Sequence, residues 1–204
     1  MRVNRKKFIY LISPNKIKIS FYDDLIEVLK SRKVSFFQLR LKNMSFKKKL
    51  AIGKKIKIIC KKYKTKFLIN DDVMLAKKLN ADGCHLGQKD MKIIKARKII
   101  KKKIIGITCH NSIKLAKSAI KNKADYLAFG AFNFSKTKRT RYKANLILLK
   151  KIKKITKTPI VAIGGINSEN YKKLLLNKAN FLAISGYIWK NKKLKPVEAI
   201  RKLK

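Results

Sequence analysis

Short runs of apolar, β-branched and aromatic residues alternate along this chain with longer lysine-rich stretches whose apolar residues recur at helical spacing. The runs 8–13, 36–40, 66–70, 83–87, 104–108, 126–130, 160–164 and 181–185 read as strands. Between and after them the spacing predicts helices over 22–33, 45–63, 72–80, 91–102, 112–122, 144–156, 168–178 and 195–203. Ser45, Ser112 and Ser168 stand where N-caps belong, Glu169 adds negative charge to a first helical turn, and Pro159 separates the sixth helix from its strand. Near-continuous apolar strands alternating strictly with helices predict a parallel sheet covered on both faces. Eight such units predict an α/β chain closed into a single (β/α)8 TIM barrel over 1–204. The competing arrangement is an open doubly wound sheet, but no Gly-x-Gly-x-x-Gly follows the first strand.

A weak internal repeat fits the barrel. Asn80-Ala81-Asp82-Gly83, Lys123-Ala124-Asp125-Tyr126 and Lys178-Ala179-Asn180-Phe181 each place Ala and then Asp or Asn before a strand, the fourth, sixth and eighth. Such positions lie at the N-terminal end of a barrel, where an acid caps turns rather than catalyses.

Composition sharpens this reading. Hydrophobic residues make up 46% of 204 positions, enough for a sizeable core, and 8 Gly with 3 Pro exclude collagen-like sequence. No apolar run approaches the eighteen or so residues of a membrane span, and Phe8 to Ser13 is too short for a signal-peptide core, so a soluble, cytoplasmic chain is expected. Cys60, Cys84 and Cys109 are widely spaced, which fits reduced thiols better than disulfides or a zinc ribbon.

The net charge of +45 invites a nucleic-acid reading. Its distribution argues otherwise: residues 1–50, 51–100, 101–150 and 151–204 carry 14, 14, 13 and 14 basic residues, with 47 Lys against 8 Arg. An even lysine coat is a solvated surface of an A/T-biased sequence, without the arginine forks of specific phosphate recognition. No specific nucleic-acid partner is expected, though weak salt-sensitive attraction to polyanions follows from the charge.

In a barrel the site is built from the C-terminal strand ends. Those ends collect Gln38, Arg40 and Lys42; Asn70 and Asp71; Gln88 and Asp90; Thr108 and His110; Ser135, Thr137 and Lys138; Gly164 and Gly165; Ser185 and Gly186. Asp71 and Asp90 are hard oxygen donors on adjacent strand ends, suited to Mg²⁺ that keeps waters and takes further oxygens from a phosphate. Either could instead cap the helix that follows it. Arg40, Lys42 and Lys138 are cations suited to a diphosphate. The small-residue loops after strands seven and eight suit a phosphate cradle of backbone N–H groups, or simply a tight turn. Cys84-His85 and Cys109-His110 place adjacent residues on opposite faces, which favours buried thiols and satisfied histidines over zinc.

These residues resemble the thiamine phosphate synthase family over nearly the whole chain. The likeness begins at Phe8-Ile9-Tyr10-Leu11-Ile12 and passes through Gln38-Leu39-Arg40-Leu41-Lys42, Ile69-Asn70-Asp71 and Gly106-Ile107-Thr108-Cys109-His110-Asn111. It continues through Phe129-Gly130, Ser135-Lys136-Thr137-Lys138 and Ala162-Ile163-Gly164-Gly165-Ile166. Its most specific stretch is Asp82-Gly83-Cys84-His85-Leu86-Gly87-Gln88-Lys89-Asp90.

The resemblance implies a transferase that joins a hydroxymethylpyrimidine diphosphate to a thiazole phosphate, or its carboxylated precursor, releasing pyrophosphate by dissociative substitution. It implies that Gln38, Arg40, Lys42, Asn70, Thr108 and Lys138 hold the pyrimidine diphosphate, with Arg40, Thr108 and Lys138 acting on the departing group. By the same resemblance Asp71 and Asp90 hold Mg²⁺, and Ser135, Thr137, Gly165, Ser185 and Gly186 hold the thiazole phosphate.

Several positions depart from the family pattern. Leu41 stands where Glu is usual, a change that would alter how Arg40 or Lys42 is held. Thr108 replaces Ser with its hydroxyl retained, Ser185-Gly186 replaces an aliphatic-Ser pair, and Ala131, Asn133-Phe134 and Ser135 replace a more proline-rich loop. Two other functions compete: a thiazole phosphate tautomerase on the same barrel, and an inactive barrel that binds polyanions. Retained Arg40, Lys42, Asn70, Asp71, Asp90 and Lys138 favour the synthase. The sequence leaves a homo-oligomer open.

Overall fold

The computed structural model describes residues 7–134 and 141–204. Eight parallel strands close a barrel in sequence order: β1 (Ile9–Ile12), β2 (Val34–Leu39), β3 (Lys66–Asn70), β4 (Gly83–Leu86), β5 (Ile104–His110), β6 (Tyr126–Phe129), β7 (Ile160–Ile163) and β8 (Phe181–Ile184). The helices outside it are α1 (Phe21–Lys30), α2 (Phe46–Lys62), α3 (Val73–Lys78), α4 (Ile93–Ile100), α5 (Ile113–Lys121), α6 (Leu146–Ile155), α7 (Tyr171–Leu176), α8 (Gly186–Trp189) and α9 (Pro196–Arg201). All eight strands lie where the apolar runs place them.

Strand alternation divides the core in two. Outward-facing residues such as Leu11, Phe37, Phe67, Cys84, Ile105, Leu127 and Leu182 pack beneath the helices. Inward-facing Tyr10, Leu68, Tyr126, Val161 and Ala183 fill the barrel with Phe36, Ile104 and Phe181. Phe36 meets Phe181 edge to face at 4.9 Å, and Tyr10 lies 5.6 Å from Tyr126, so rings from β1, β2, β6 and β8 plug the interior.

The repeat before the even strands is a set of braces. The Asp82 carboxylate accepts from Phe67 N at 2.8 Å while Asp82 N donates to Phe67 O at 2.8 Å. Asp125 does the same with Ile105, at 2.7 and 2.8 Å, and Asn180 with Ile160, at 2.9 Å for both bonds. Each side chain therefore satisfies an N–H at the start of the preceding strand, on its first or second residue. Arg97 tightens the Asp125 brace through Nη2 at 2.7 Å, and Lys33 Nζ clasps the carbonyls of Leu203, Arg201 and Ile200 at the end of α9.

Helix entries follow the sequence in part. Ser45 and Ser112 accept from Lys48 N and Leu115 N as N-caps. Ser168 does not: α7 opens later, at Tyr171, because the Asn167 side chain accepts from Glu169 N and Asn170 N and holds those residues in a turn. Glu169 accordingly precedes the helix instead of lying in its first turn. Residues 186–189, read as part of the loop after the eighth strand, form the four-residue α8, fixed by Trp189 Nε1 donating to Ile12 O at 2.7 Å. Among the described residues no helix is long and apolar enough to cross a membrane.

Candidate active site

The mouth of the barrel begins where β2 runs out. Leu39 ends the strand, and extended backbone then sends Arg40 and Lys42 toward the mouth and Leu41 into the outer core, where it is 7% exposed. Arg40 Nη1 donates to Asn15 Oδ1 at 2.8 Å, and its backbone N donates to the buried Ser13 hydroxyl at 2.9 Å. Lys42 Nζ lies 2.6 Å from Asp71 Oδ2. The acid expected from the family pattern is replaced as a partner by groups on other strand ends.

Asp71 follows β3 with φ 63°, a left-handed turn held by its N–H donating to His85 O at 2.8 Å. Asp72 caps α3 by accepting from Leu75 N at 2.9 Å, which releases Asp71 from that task. Asp90 caps no helix either, since α4 opens at Ile93 with Lys92 at its N-cap. Its carboxylate instead accepts from Gly87 N at 2.6 Å, folding the loop after β4 back toward Asp71.

The two acids are hydrogen-bonding neighbours with opposite electrostatics. Burial raises the Asp90 carboxyl above its usual range, and the adjacent Asp71 raises it further, against the pull of Gly87 N–H and Lys42. Burial pushes Asp71 upward as well, but the Lys42 ammonium and the bond to Asp90 hold it below its usual range. Two carboxyls pressed together resist simultaneous ionisation, so Asp90 holds a proton more tightly than Asp71 does.

Beside the acids, polar side chains line the inner wall. Gln38, only 2% exposed, donates from Nε2 to Asn70 Oδ1 at 3.3 Å. His85 bridges Thr108 Oγ1, at 2.9 Å from Nε2, and the Tyr126 hydroxyl, at 2.8 Å from Nδ1. Gln88, collected at the mouth by position, spends its amide on the Thr108 carbonyl. His110 lies past a register shift in β5 with φ 52°, and its ring stacks on Tyr142 at 4.0 Å. Among the described residues no three His, Cys, Asp or Glu side chains cluster as metal ligands, and the Cys109 thiol is pushed up to about 12 by burial.

The other half of the mouth is made of backbone. Gly165 has φ 55°, and a Cβ there would meet Phe134 O at 2.1 Å and Asn133 Cβ at 2.9 Å, so glycine is demanded by the loop after β6 packing over it. That loop is tied down by Asn133 N donating to Gly164 O at 3.1 Å and Ala131 N to Tyr142 O at 3.0 Å. A proline could not make the latter bond, so the Ala131 departure gains a tether. Ser185 precedes α8, its hydroxyl directed to Ser13 O at 3.4 Å, and Gly186 is the first helical residue. Ser135, Thr137 and Lys138 lie outside the described residues.

The structure thus gathers Gln38, Arg40, Lys42, Asn70, Asp71, Asp90 and Thr108 on one side of the mouth and Gly165, Ser185 and Gly186 on the other. Sequence reasoning missed Ser13 and Asn15, which hold Arg40, and the inward rings of Tyr10 and Tyr126. An isolated glycine in the apolar strand β5, Gly106, was the available signal for the latter: a Cβ there would lie 1.8 Å from the Tyr126 ring.

A closed parallel barrel with its polar groups concentrated at the C-terminal mouth defines a (β/α)8 enzyme. The chain belongs to the thiamine monophosphate synthase family, whose model matches residues 9–188. It is 74% identical over 200 residues to the thiamine-phosphate synthase of Pelagibacter ubique, covering 98% of this chain and 97% of that one. It is 37% identical over 196 residues to that of Erythrobacter litoralis, covering 94% and 92%. Among solved structures, the thiamine phosphate pyrophosphorylase of Pyrococcus furiosus superposes with a TM-score of 0.86 at 30% identity, covering 98% of this chain and 94% of that one.

Proposed function

We propose that this chain works as one cytoplasmic catalytic domain that joins a pyrimidine diphosphate to a thiazole phosphate, releasing pyrophosphate, with Mg²⁺ held by Asp71 and Asp90. The observation that carries the reading is the apposition of those two carboxylates beside Lys42. Their repulsion is relieved by a proton or by a divalent cation, and the donor set is two hard oxygens with room for phosphate oxygens and water. Bound there, Mg²⁺ would supply charge to stabilise the departing diphosphate.

The protein's own part is positioning and electrostatics. Arg40 and Lys42, joined by Lys138 from the loop after β6, neutralise charge that grows on the diphosphate as the C–O bond breaks. Gln38 and Asn70 orient the pyrimidine side, and Thr108 donates to the leaving group. The thiazole phosphate is held across the mouth by Ser135, Thr137, Gly165, Ser185 and Gly186, partly through backbone N–H groups. That places the thiazole nitrogen to capture the pyrimidine methylene cation with no protein nucleophile.

The test incubates the protein with hydroxymethylpyrimidine diphosphate, thiazole phosphate and Mg²⁺ and quantifies thiamine phosphate and pyrophosphate. Equimolar products that vanish with EDTA are expected. Isomerisation of the thiazole substrate without either product would assign the tautomerase reaction. No turnover, with salt-dependent polyanion binding unchanged in Asp71→Asn, would assign the inactive binding barrel.

A further inference from the structure

Inside the barrel a file of hydrogen-bonding groups runs from the deep interior to the mouth. The Tyr10 hydroxyl lies 2.7 Å from the Tyr126 hydroxyl, which lies 2.8 Å from His85 Nδ1, and His85 Nε2 lies 2.9 Å from Thr108 Oγ1. The file crosses β5 at Gly106: Tyr126 from β6 and His85 from β4 both pair in register with that glycine, and their rings stack over it at 5.6 Å with 13° between planes. Both tyrosines are almost fully buried, at 2% and 3% exposed, and burial raises both phenols, so they remain protonated.

Proton counting gives the file a direction. In one arrangement Tyr10 donates to Tyr126, Tyr126 donates to Nδ1, and Nε2–H donates to Thr108 Oγ1. Every buried donor is then used, and the Thr108 proton points away toward the mouth. In the reverse arrangement Nδ1–H donates to Tyr126, Tyr126 donates to Tyr10, and the Tyr10 proton has nowhere to go, since among the described residues Tyr126 is its one hydrogen-bond partner. A buried hydroxyl left without an acceptor is the costlier state. The reverse arrangement would also draw the Thr108 proton inward onto Nε2 and present only lone pairs to a ligand.

We propose that Tyr10, Tyr126 and His85 are positioning residues that fix the Nε2–H tautomer of His85 and so make the Thr108 hydroxyl an obligate donor at the mouth. A donor there suits an anionic diphosphate oxygen and disfavours a ligand that itself needs to donate. This rests on the reading of Thr108 as a diphosphate contact. Gln88, holding the Thr108 carbonyl, keeps the strand end from turning the hydroxyl elsewhere.

Two measurements on the full chain test it. First, ¹⁵N shifts of the histidine ring nitrogens distinguish the tautomers, with His85→Gln identifying the His85 signals. Nδ1 unprotonated and coupled to the Tyr126 hydroxyl proton is expected, and a protonated Nδ1 overturns the proposal. Second, a double-mutant cycle reads whether His85 acts through Thr108. Thr108→Val should lower kcat on the order of 10²-fold, His85→Leu roughly 10-fold, and the double variant no further than Thr108→Val alone, within about twofold. His85→Gln should recover most of the loss, because its amide accepts from Tyr126 and donates to Thr108. Independent, multiplying losses overturn the proposal, as does a His85→Gln no better than His85→Leu. If the unaltered protein makes no thiamine phosphate, the synthase reading falls, while the ring-nitrogen measurement still decides the proton order.

Discussion

The two ends of the barrel use aspartate in opposite ways. At the N-terminal end Asp82 and Asp125 each meet the N–H of a strand's second residue in a closed pair of hydrogen bonds, and Asn180 meets that of a first residue without a charge. At the C-terminal end Asp71 and Asp90 meet each other, with φ 63° at Asp71 and a raised carboxyl at Asp90. The first arrangement needs an oxygen acceptor, and the second needs negative charge. The difference is one of partner: an acid that meets a backbone N–H is satisfied by it, whereas two acids that meet each other resist joint ionisation.

Asp→Asn at either end breaks the comparison most directly. Asp71→Asn is expected to lower kcat by about 10³-fold while leaving the melting temperature close to that of the unaltered protein. Asp125→Asn should retain full activity and shift stability by less than about 0.5 kcal/mol, since Asn180 already performs the same bond. Loss of activity in Asp125→Asn, or a silent Asp71→Asn, measured by the coupled assay and thermal denaturation, would dissolve the distinction between the ends.

Next in size is Gly106→Ala. Its methyl would lie inside the Tyr126 ring, so the barrel must shift or that ring must leave, and a loss of about 2–4 kcal/mol is expected in urea denaturation. Tyr126→Ala in the same background should recover part of the loss if the ring is the obstacle.

Asp125→Ala, which removes the acceptor from Ile105 N, should cost about 1–2 kcal/mol in the same denaturation experiment. The smallest effect concerns pH. The metal-free stability contributed by Asp71, whose pKa is lowered, is present above its unfolded value and lost as pH falls through the folded one. For Asp90, whose pKa is raised, the sign reverses: its contribution is present at low pH and lost as pH rises through the folded value. If Mg²⁺ sits between Asp71 and Asp90 as proposed, it requires both ionised, and the rise in melting temperature on adding Mg²⁺ should grow as pH climbs through the raised Asp90 value. It should be absent in Asp90→Asn.

Much of the fold was legible because burial on both faces leaves the strands as uninterrupted apolar runs. The mouth was legible by the rule that strand ends carry it, which located Arg40, Lys42, Asp71, Asp90 and Thr108. Part of what escaped was local: Asn167 and Ser168 are both turn formers, and Asn167 takes the Glu169 and Asn170 N–H groups, while α8 is too short to leave a period. The rest depends on contacts between distant segments. Tyr10 and Tyr126 read as ordinary apolar strand residues, since periodicity records which face a side chain takes and not what its hydroxyl meets. Leu41 reads as a missing acid because sequence does not tell that the position packs into the outer core beneath the helices.

The braces join β3 to β4, β5 to β6 and β7 to β8, and Ser35 Oγ donates to Lys7 O at 2.9 Å beside β1 and β2. Every one falls inside a β-α-β unit contiguous along the chain, and none spans two units. At its N-terminal end the barrel is therefore fastened as four quarters, each closed between segments near in sequence. New termini cut between quarters, as at the turn from α4 to β5, keep each of these four fastenings within a continuous segment and separate Arg97 from the Asp125 it supports, whereas a cut within α5 divides the Asp125 fastening itself.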